Sequence, residues 1–326
     1  MQVIGTKIVV LGTGGTIAGS SERAGDNVGY RAGERTVQSL LDALPAGQAQ
    51  PPLALVTEQI AQIDSKDADV ALWSRLHARC LAHLQDDAVR GIVIAHGTDT
   101  LEESAWLLAE TLPADKPVVL TCAMRPATAA SPDGPQNLLD AVALASDARA
   151  LGVSVVCAGA VHAPRHVQKM SSYRVDAFGS GGAGPIGWME EGGLRQVHPW
   201  PQARSVSAAL SQALPQALPV EQGAWPWVEI VLSHASARGG QVDALVSAGV
   251  QGIVAAGTGN GTLHHALEAA LLRAQDAGVA VRVGTRCPLG VVVGRPAHGL
   301  PLADGLSPVK ARISLMLELM RSAPAP

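Results

Sequence analysis

The stretch Ile8-Val9-Val10-Leu11-Gly12-Thr13-Gly14-Gly15-Thr16-Ile17-Ala18-Gly19 decides the fold. A β-branched apolar run that breaks into closely spaced glycines reads as a buried strand delivering an open loop, the place where α/β proteins put ligands. Thr16 sits in the middle of that loop. Two readings of it stand at this point: a hydroxyl free to meet a substrate as a nucleophile, or a tight turn in which Thr16 only hydrogen-bonds the backbone.

Outward from this stretch the same pattern recurs. Residues 91–95 form a second buried strand, followed by the hydroxyl-bearing loop His96-Gly97-Thr98-Asp99-Thr100 and a helix over 101–112. Glu102 and Glu103 lie in its first turn, where the positive end of the helix dipole favours acids. A third strand covers 117–122, a helix 137–150 and a fourth strand 152–160. Between the first two strands lie a polar segment, 20–34, carrying Tyr30, a short helix over 36–44, and a short strand at 53–56. That strand runs into a polar turn with Ser65 and Lys66, and a helix over 68–84 follows.

Strand, loop and helix in repetition predict a mostly parallel sheet flanked by helices, with its loops on one rim. The loops of Thr16 and Thr98 then converge, provided their strands are neighbours. Residues 165–192 look irregular and contain Lys169. A shorter α/β series follows, with strands at 228–232, 252–256 and 279–284 and helices at 263–277 and 309–320. The expected organisation is a larger N-terminal α/β domain over 1–199, a linker over 200–225 rich in Pro, Ala and Gln, and a smaller C-terminal α/β domain over 226–326.

Composition narrows the function. At 326 residues two domains are the better expectation, and 47% hydrophobic with only 16% charged residues fits a compact α/β enzyme rather than a disordered chain. A net charge of −4 without a Lys/Arg cluster argues against nucleic-acid binding. No apolar run is long enough to span a membrane. Without a charged and apolar leader ahead of the first strand, the default location is cytoplasmic. Cys80, Cys122, Cys157 and Cys287 are widely separated and read as reduced thiols, with a disulfide as the minor alternative.

Rival motifs fail on spacing. Ile17 stands where a dinucleotide-binding loop needs its third glycine, no Gly-Lys-Ser/Thr follows for a phosphate loop, and Thr262 spoils the glycine run at 257–261. The histidines lack metal-binding pairs, and there is no Gly-x-Ser-x-Gly elbow. What remains is two threonine loops, an adjacent Asp99 and Lys169. A threonine hydroxyl needs a base, and a lysine serves once burial or neighbours lower its pKa, so the set is sufficient for acyl transfer.

The segments Gly14-Gly15-Thr16-Ile17-Ala18-Gly19 and Ala95-His96-Gly97-Thr98-Asp99-Thr100-Leu101-Glu102-Glu103 resemble the two signatures of the bacterial-type L-asparaginases. The similarity continues through Ala123-Met124-Arg125-Pro126, Asp133-Gly134-Pro135, Asn137-Leu138, Gly259-Asn260-Gly261 and Lys310-Ala311-Arg312. The resemblance implies hydrolysis of L-asparagine to L-aspartate and ammonia without metal or organic cofactor, through an acyl-enzyme on Thr16 with Tyr30 on a lid beside it. It implies proton transfer by Thr98, Asp99 and Lys169, and substrate binding by Ser65, Thr98, Asp99, Ala123 and, from a neighbouring subunit, Asn260. The implied assembly is a homotetramer, a dimer of dimers.

Two departures matter. Lys66 stands where the family commonly has Gln, which turns a charge toward the substrate α-carboxylate or out to solvent. The region between Gly290 and Ser307 is short and offers no match for the glutamate a neighbouring subunit usually supplies near the substrate amine. The alternatives are a glutaminase-asparaginase, since one methylene discriminates by only about 1–3 kcal/mol, and a catalytically silent amino-acid-binding protein.

Overall fold

The computed structural model describes residues 6–23, 25–44, 53–200, 217–294 and 299–322. The chain divides into two compact units, the smaller of which takes up the chain from Glu221 onward. Most of the expected linker, residues 201–216, lies outside the described residues.

In the larger unit the elements run β1 (Lys7–Gly14), α1 (Val37–Asp42), β2 (Ala54–Ile63), α2 (Val70–Leu84), β3 (Val89–Ala95), α3 (Leu101–Thr111), β4 (Pro117–Thr121), α4 (Gly134–Ser146), β5 (Gly152–Cys157) and β6 (Ala160–His162). Short strands β7 (Gln168–Lys169), β8 (Phe178–Gly179), β9 (Gly187–Glu190) and β10 (Gly193–Gln196) follow. One eight-stranded sheet has the order β10-β9-β6-β5-β4-β3-β1-β2. The five strands β2-β1-β3-β4-β5 are parallel, and the remaining three are antiparallel.

Alternation along β1 builds both layers. Ile8 and Val10 join Val93, Val119, Leu138 and Leu144 on the face covered by α1 and α4. Val9 and Leu11 join Ile92, Ile94, Leu76 and Leu108 on the face covered by α2 and α3. Burial on both sides is why these strands read as continuous apolar runs. Helix starts are specified locally: Thr36 accepts from Ser39 N ahead of α1, and Asp69 accepts from Leu72 N ahead of α2.

Several segments differ from expectation. Residues 152–160 are not one strand, because Ala158 (φ 49°) and Gly159 (φ 76°) turn the chain back as a two-residue hairpin between β5 and β6. The strand at 53–56 extends through Ile63 as β2, whose position at the sheet edge tolerates its polar residues. Helix α4 begins three residues early, at Gly134, and the irregular region 165–192 holds β7, β8 and β9.

The smaller unit has β11 (Val228–Leu232), α5 (Gly240–Ser247), β12 (Gly252–Gly257), α6 (His265–Asp276), β13 (Ala280–Thr285) and α7 (Pro308–Ser322). Its parallel sheet β11-β12-β13 packs α5 and α6 through Val242, Leu267 and Leu271. Leu315 of α7 lies over Gly252, where a side chain would collide with it. Helix α5 was not expected from sequence. Among the described residues no helix is long and apolar enough to cross a membrane.

Candidate active site

β1 and β3 are neighbours, with Gly12 level with Ala95, so their C-terminal loops emerge side by side. The glycines let the loops touch. A Cβ on Gly15 (φ +79°) would lie 2.2 Å from Gly97 Cα, and one on Gly14 (φ +103°) 2.4 Å from Ile63 O. These glycines are therefore needed for loop packing as well as for an open approach to Thr16.

Thr16 begins a single 3-10 turn and is only 7% exposed. Its hydroxyl shares a 2.6 Å hydrogen bond with the Tyr30 hydroxyl. Tyr30 is brought there by a paired return of the chain: Ser20 and Arg31 exchange backbone hydrogen bonds, Gly33 N donates to Gly15 O, and the Tyr30 ring covers Gly19.

Thr98 is 5% exposed, and its Oγ1 accepts from Lys169 Nζ at 2.8 Å. The same ammonium donates to Asp99 Oδ1 at 2.5 Å. Lys169 arrives on β7, and its backbone N–H donates to Glu102 Oε2 at 3.2 Å. Ser65 is buried beneath this loop, accepting from Asp99 N on Oγ and from Thr100 Oγ1 on its carbonyl. Ala123 is fully buried. The next two backbone amides, of Met124 and Arg125, both donate to the Asp133 carboxylate at 2.9 Å.

Two named residues are engaged elsewhere. Lys66 Nζ pairs with Asp67 at 2.5 Å with both side chains largely exposed. Asn260, in the smaller unit, uses both ends of its amide on Val293: Oδ1 accepts from Val293 N and Nδ2 donates to Val293 O.

Comparisons with known proteins identify the family. The family model described as "Asparaginase, N-terminal" matches residues 7–201, and the one described as "Glutaminase/Asparaginase C-terminal domain" matches residues 227–324. The chain belongs to the asparaginase family. It is 35% identical to a probable periplasmic L-asparaginase of Haemophilus influenzae, over 97% of this chain and 89% of that one. It is 32% identical to a glutaminase-asparaginase of Pseudomonas fluorescens, over 97% and 86%. The crystal structure of a probable cytoplasmic L-asparaginase from Campylobacter jejuni superposes with a TM-score of 0.85 at 35% identity, covering 97% of this chain and 96% of that one.

In this asparaginase-family chain several supporting residues escape a sequence reading. Trp73 Nε1 donates to Ser104 Oγ, Ser104 donates to His96 Nε2, and His96 Nδ1 donates to Gly97 O at 2.8 Å. Gly97 O can only accept, which fixes the tautomer. Burial pushes the His96 pKa below the usual histidine range, partly offset by its bond to Gly97. Glu102, read from sequence as a dipole-favoured acid, is also the acceptor that seats Lys169. Asn137 bridges Cys122 O and Ala158 N, and only its spacing from Asp133 hints at this.

Proposed function

We propose that this protein hydrolyses L-asparagine to L-aspartate and ammonia through a threonine acyl-enzyme. One observation carries the reading: two nearly buried threonines on touching loops of neighbouring strands, one hydroxyl bonded to Tyr30 and the other to the Lys169–Asp99 pair. Names of relatives at about 35% identity over nearly the whole chain support the same substrate.

Thr16 Oγ1 attacks the side-chain amide carbonyl, with Tyr30 orienting the hydroxyl, and the proton that Thr16 loses makes good the one that Lys169 and Thr98 give to the amide nitrogen. Thr98 and Lys169 pass a proton to the amide nitrogen, so that it leaves as ammonia rather than as an amide anion. Water then attacks the Thr16 ester and releases aspartate. Asp99 serves the substrate α-ammonium and Ser65 the α-carboxylate, while the backbone at Ala123 borders the amide end. Lys66, paired with Asp67, stays outside this set.

The deciding measurement is ammonia release from L-asparagine and L-glutamine side by side. Turnover of asparagine is expected; binding without release would favour a silent amino-acid-binding protein. A second reading, dual glutaminase-asparaginase activity, is favoured by the Pseudomonas fluorescens relative and predicts comparable rates on both amides. We further propose a homotetramer, checked by light scattering on the eluting protein. The cytoplasm is the proposed location, supported by the name of the Campylobacter jejuni neighbour and checked by cell fractionation.

A further inference from the structure

Cys122 follows β4 and Cys157 is the last residue of β5, each one step past the paired Thr121 and Val156. Neighbouring strands lie about 4.8 Å apart, inside the Cα separation of roughly 4.4–6.8 Å that a disulfide spans. The Cys122 thiol donates to Cys157 Sγ at 3.8 Å, and both are free and buried, at 0% and 2% exposure. Their neighbours belong to the site described above. Cys122 precedes Ala123, and Asn137 ties Cys122 O to Ala158 N at 2.9 Å on each side.

The hairpin that follows Cys157 borders open space. Cys157 Sγ also donates to Val175 O at 3.8 Å, and Val175, Ala158 and Gly159 line an open groove of about 1020 Å³.

We propose that Cys122 and Cys157 form a redox modification site at which a small hydroperoxide closes an intramolecular disulfide and slows the enzyme. The Cys157 sulfur attacks the peroxide O–O bond, giving a sulfenic acid and one water from hydrogen peroxide. The Cys122 sulfur then attacks the sulfenic sulfur, and its thiol proton leaves with the hydroxyl as a second water. The thiols lose two electrons and the peroxide gains them. Closing the bond draws the sulfurs from 3.8 Å to about 2.05 Å, displacing Ala123 at the amide end of the substrate site. The hydrogen bond to Cys157, and then burial, hold the Cys122 thiol well above the ordinary range, so oxidation is slow.

The effect on rate rests on the asparaginase reading of the site, whereas the cross-link does not. The full chain carrying Cys287→Ser, which removes the exposed thiol, is exposed to hydrogen peroxide while folded, then assayed for ammonia release and digested for mass spectrometry. Expected are a Cys122–Cys157 linked peptide two hydrogens lighter than its parts, loss of two titratable thiols, and turnover lower by about tenfold to a hundredfold, as an ångström-scale displacement costs. A thiol reductant restores all three. Cys157→Ser, or Cys157→Ala if the serine variant folds poorly, is expected to turn over before and after peroxide at the same rate. An unchanged thiol titre, Cys157 sulfinic acid without a cross-link, or a cross-linked protein at full rate each overturns the proposal. If the reduced protein releases no ammonia, the function assignment fails while the linked peptide still decides the modification site.

Discussion

Thr16 and Lys169 make different demands on their surroundings. Thr16 needs a free hydroxyl and a partner, and Tyr30 supplies the partner at 2.6 Å. Thr16→Ala removes the attacking atom while leaving a small side chain in a buried turn, so the expected result is a folded protein with ammonia release down by about 10³-fold or more. Near wild-type release would assign the nucleophile elsewhere. Lys169 needs its ammonium aimed at Thr98, and the strand that carries it is only two residues long. The Glu102 carboxylate, which accepts the Lys169 N–H, compensates for that weak anchorage. Glu102→Ala is expected to lower kcat about tenfold with little change in KM, whereas Glu102→Gln, which keeps an acceptor oxygen, recovers most of the rate. A uniform loss in both variants, or a change confined to KM, would mean that Glu102 does not position the amine.

Much of the element-scale design is written locally. Strands β1, β3 and β4 are legible because burial on both faces leaves uninterrupted apolar runs, and the alternation with helices forces a parallel sheet. The convergence of the Thr16 and Thr98 loops followed from that alternation once β1 and β3 proved adjacent. The β5–β6 hairpin was only half legible: Gly159, at φ 76°, is a turn residue, but Ala158, at φ 49°, is not, and the apolar run on both sides hides the return. The hold of Glu102 on Lys169 was not legible, being a contact between residues 67 positions apart that leaves no local pattern. Loop contact gives a sharp test. Gly15 and Gly25 have nearly equal φ, +79° and +80°, but a Cβ on Gly15 meets Gly97 backbone at 2.2 Å while one on Gly25 meets nothing within 4 Å. Gly25→Ala is expected to cost about 1 kcal/mol of backbone strain. Gly15→Ala adds a clash that no side-chain rotation relieves and is expected to cost at least about 3 kcal/mol and most of the activity. Equal destabilisation of the two variants in denaturant titrations would show that the loops separate at little cost.

At the scale of the whole molecule, acid acts on several shifted titrating groups of the larger unit. His96 and His77 are both pushed below the ordinary histidine range, chiefly by burial. Each is neutral in the folded chain and protonated in the unfolded one once the pH drops below about 6.5, so the unfolded state binds more protons and stability falls as pH falls through that window. Glu58, held low by Arg79, and Asp147, held low by Arg149, add the same sign at lower pH, where protonation in the folded state is resisted. Asp140, raised by burial, opposes them only between its ordinary carboxylate range and its raised value. In the smaller unit the salt bridges Arg273–Asp243 and Arg282–Glu318 are surface pairs of small net worth. Lowering the pH from 7 to about 5 is therefore expected to increase amide exchange, corrected for its intrinsic pH dependence, in β3, α2 and α3 before it does so in β11, β12 and β13. His77→Gln, which removes one of the two buried imidazoles without touching the Thr98 loop, should flatten the larger unit's response, leaving the part owed to His96. Exchange rising equally in both sheets, or protection in the larger unit unchanged down to pH 5, would place the acid sensitivity outside these two histidines.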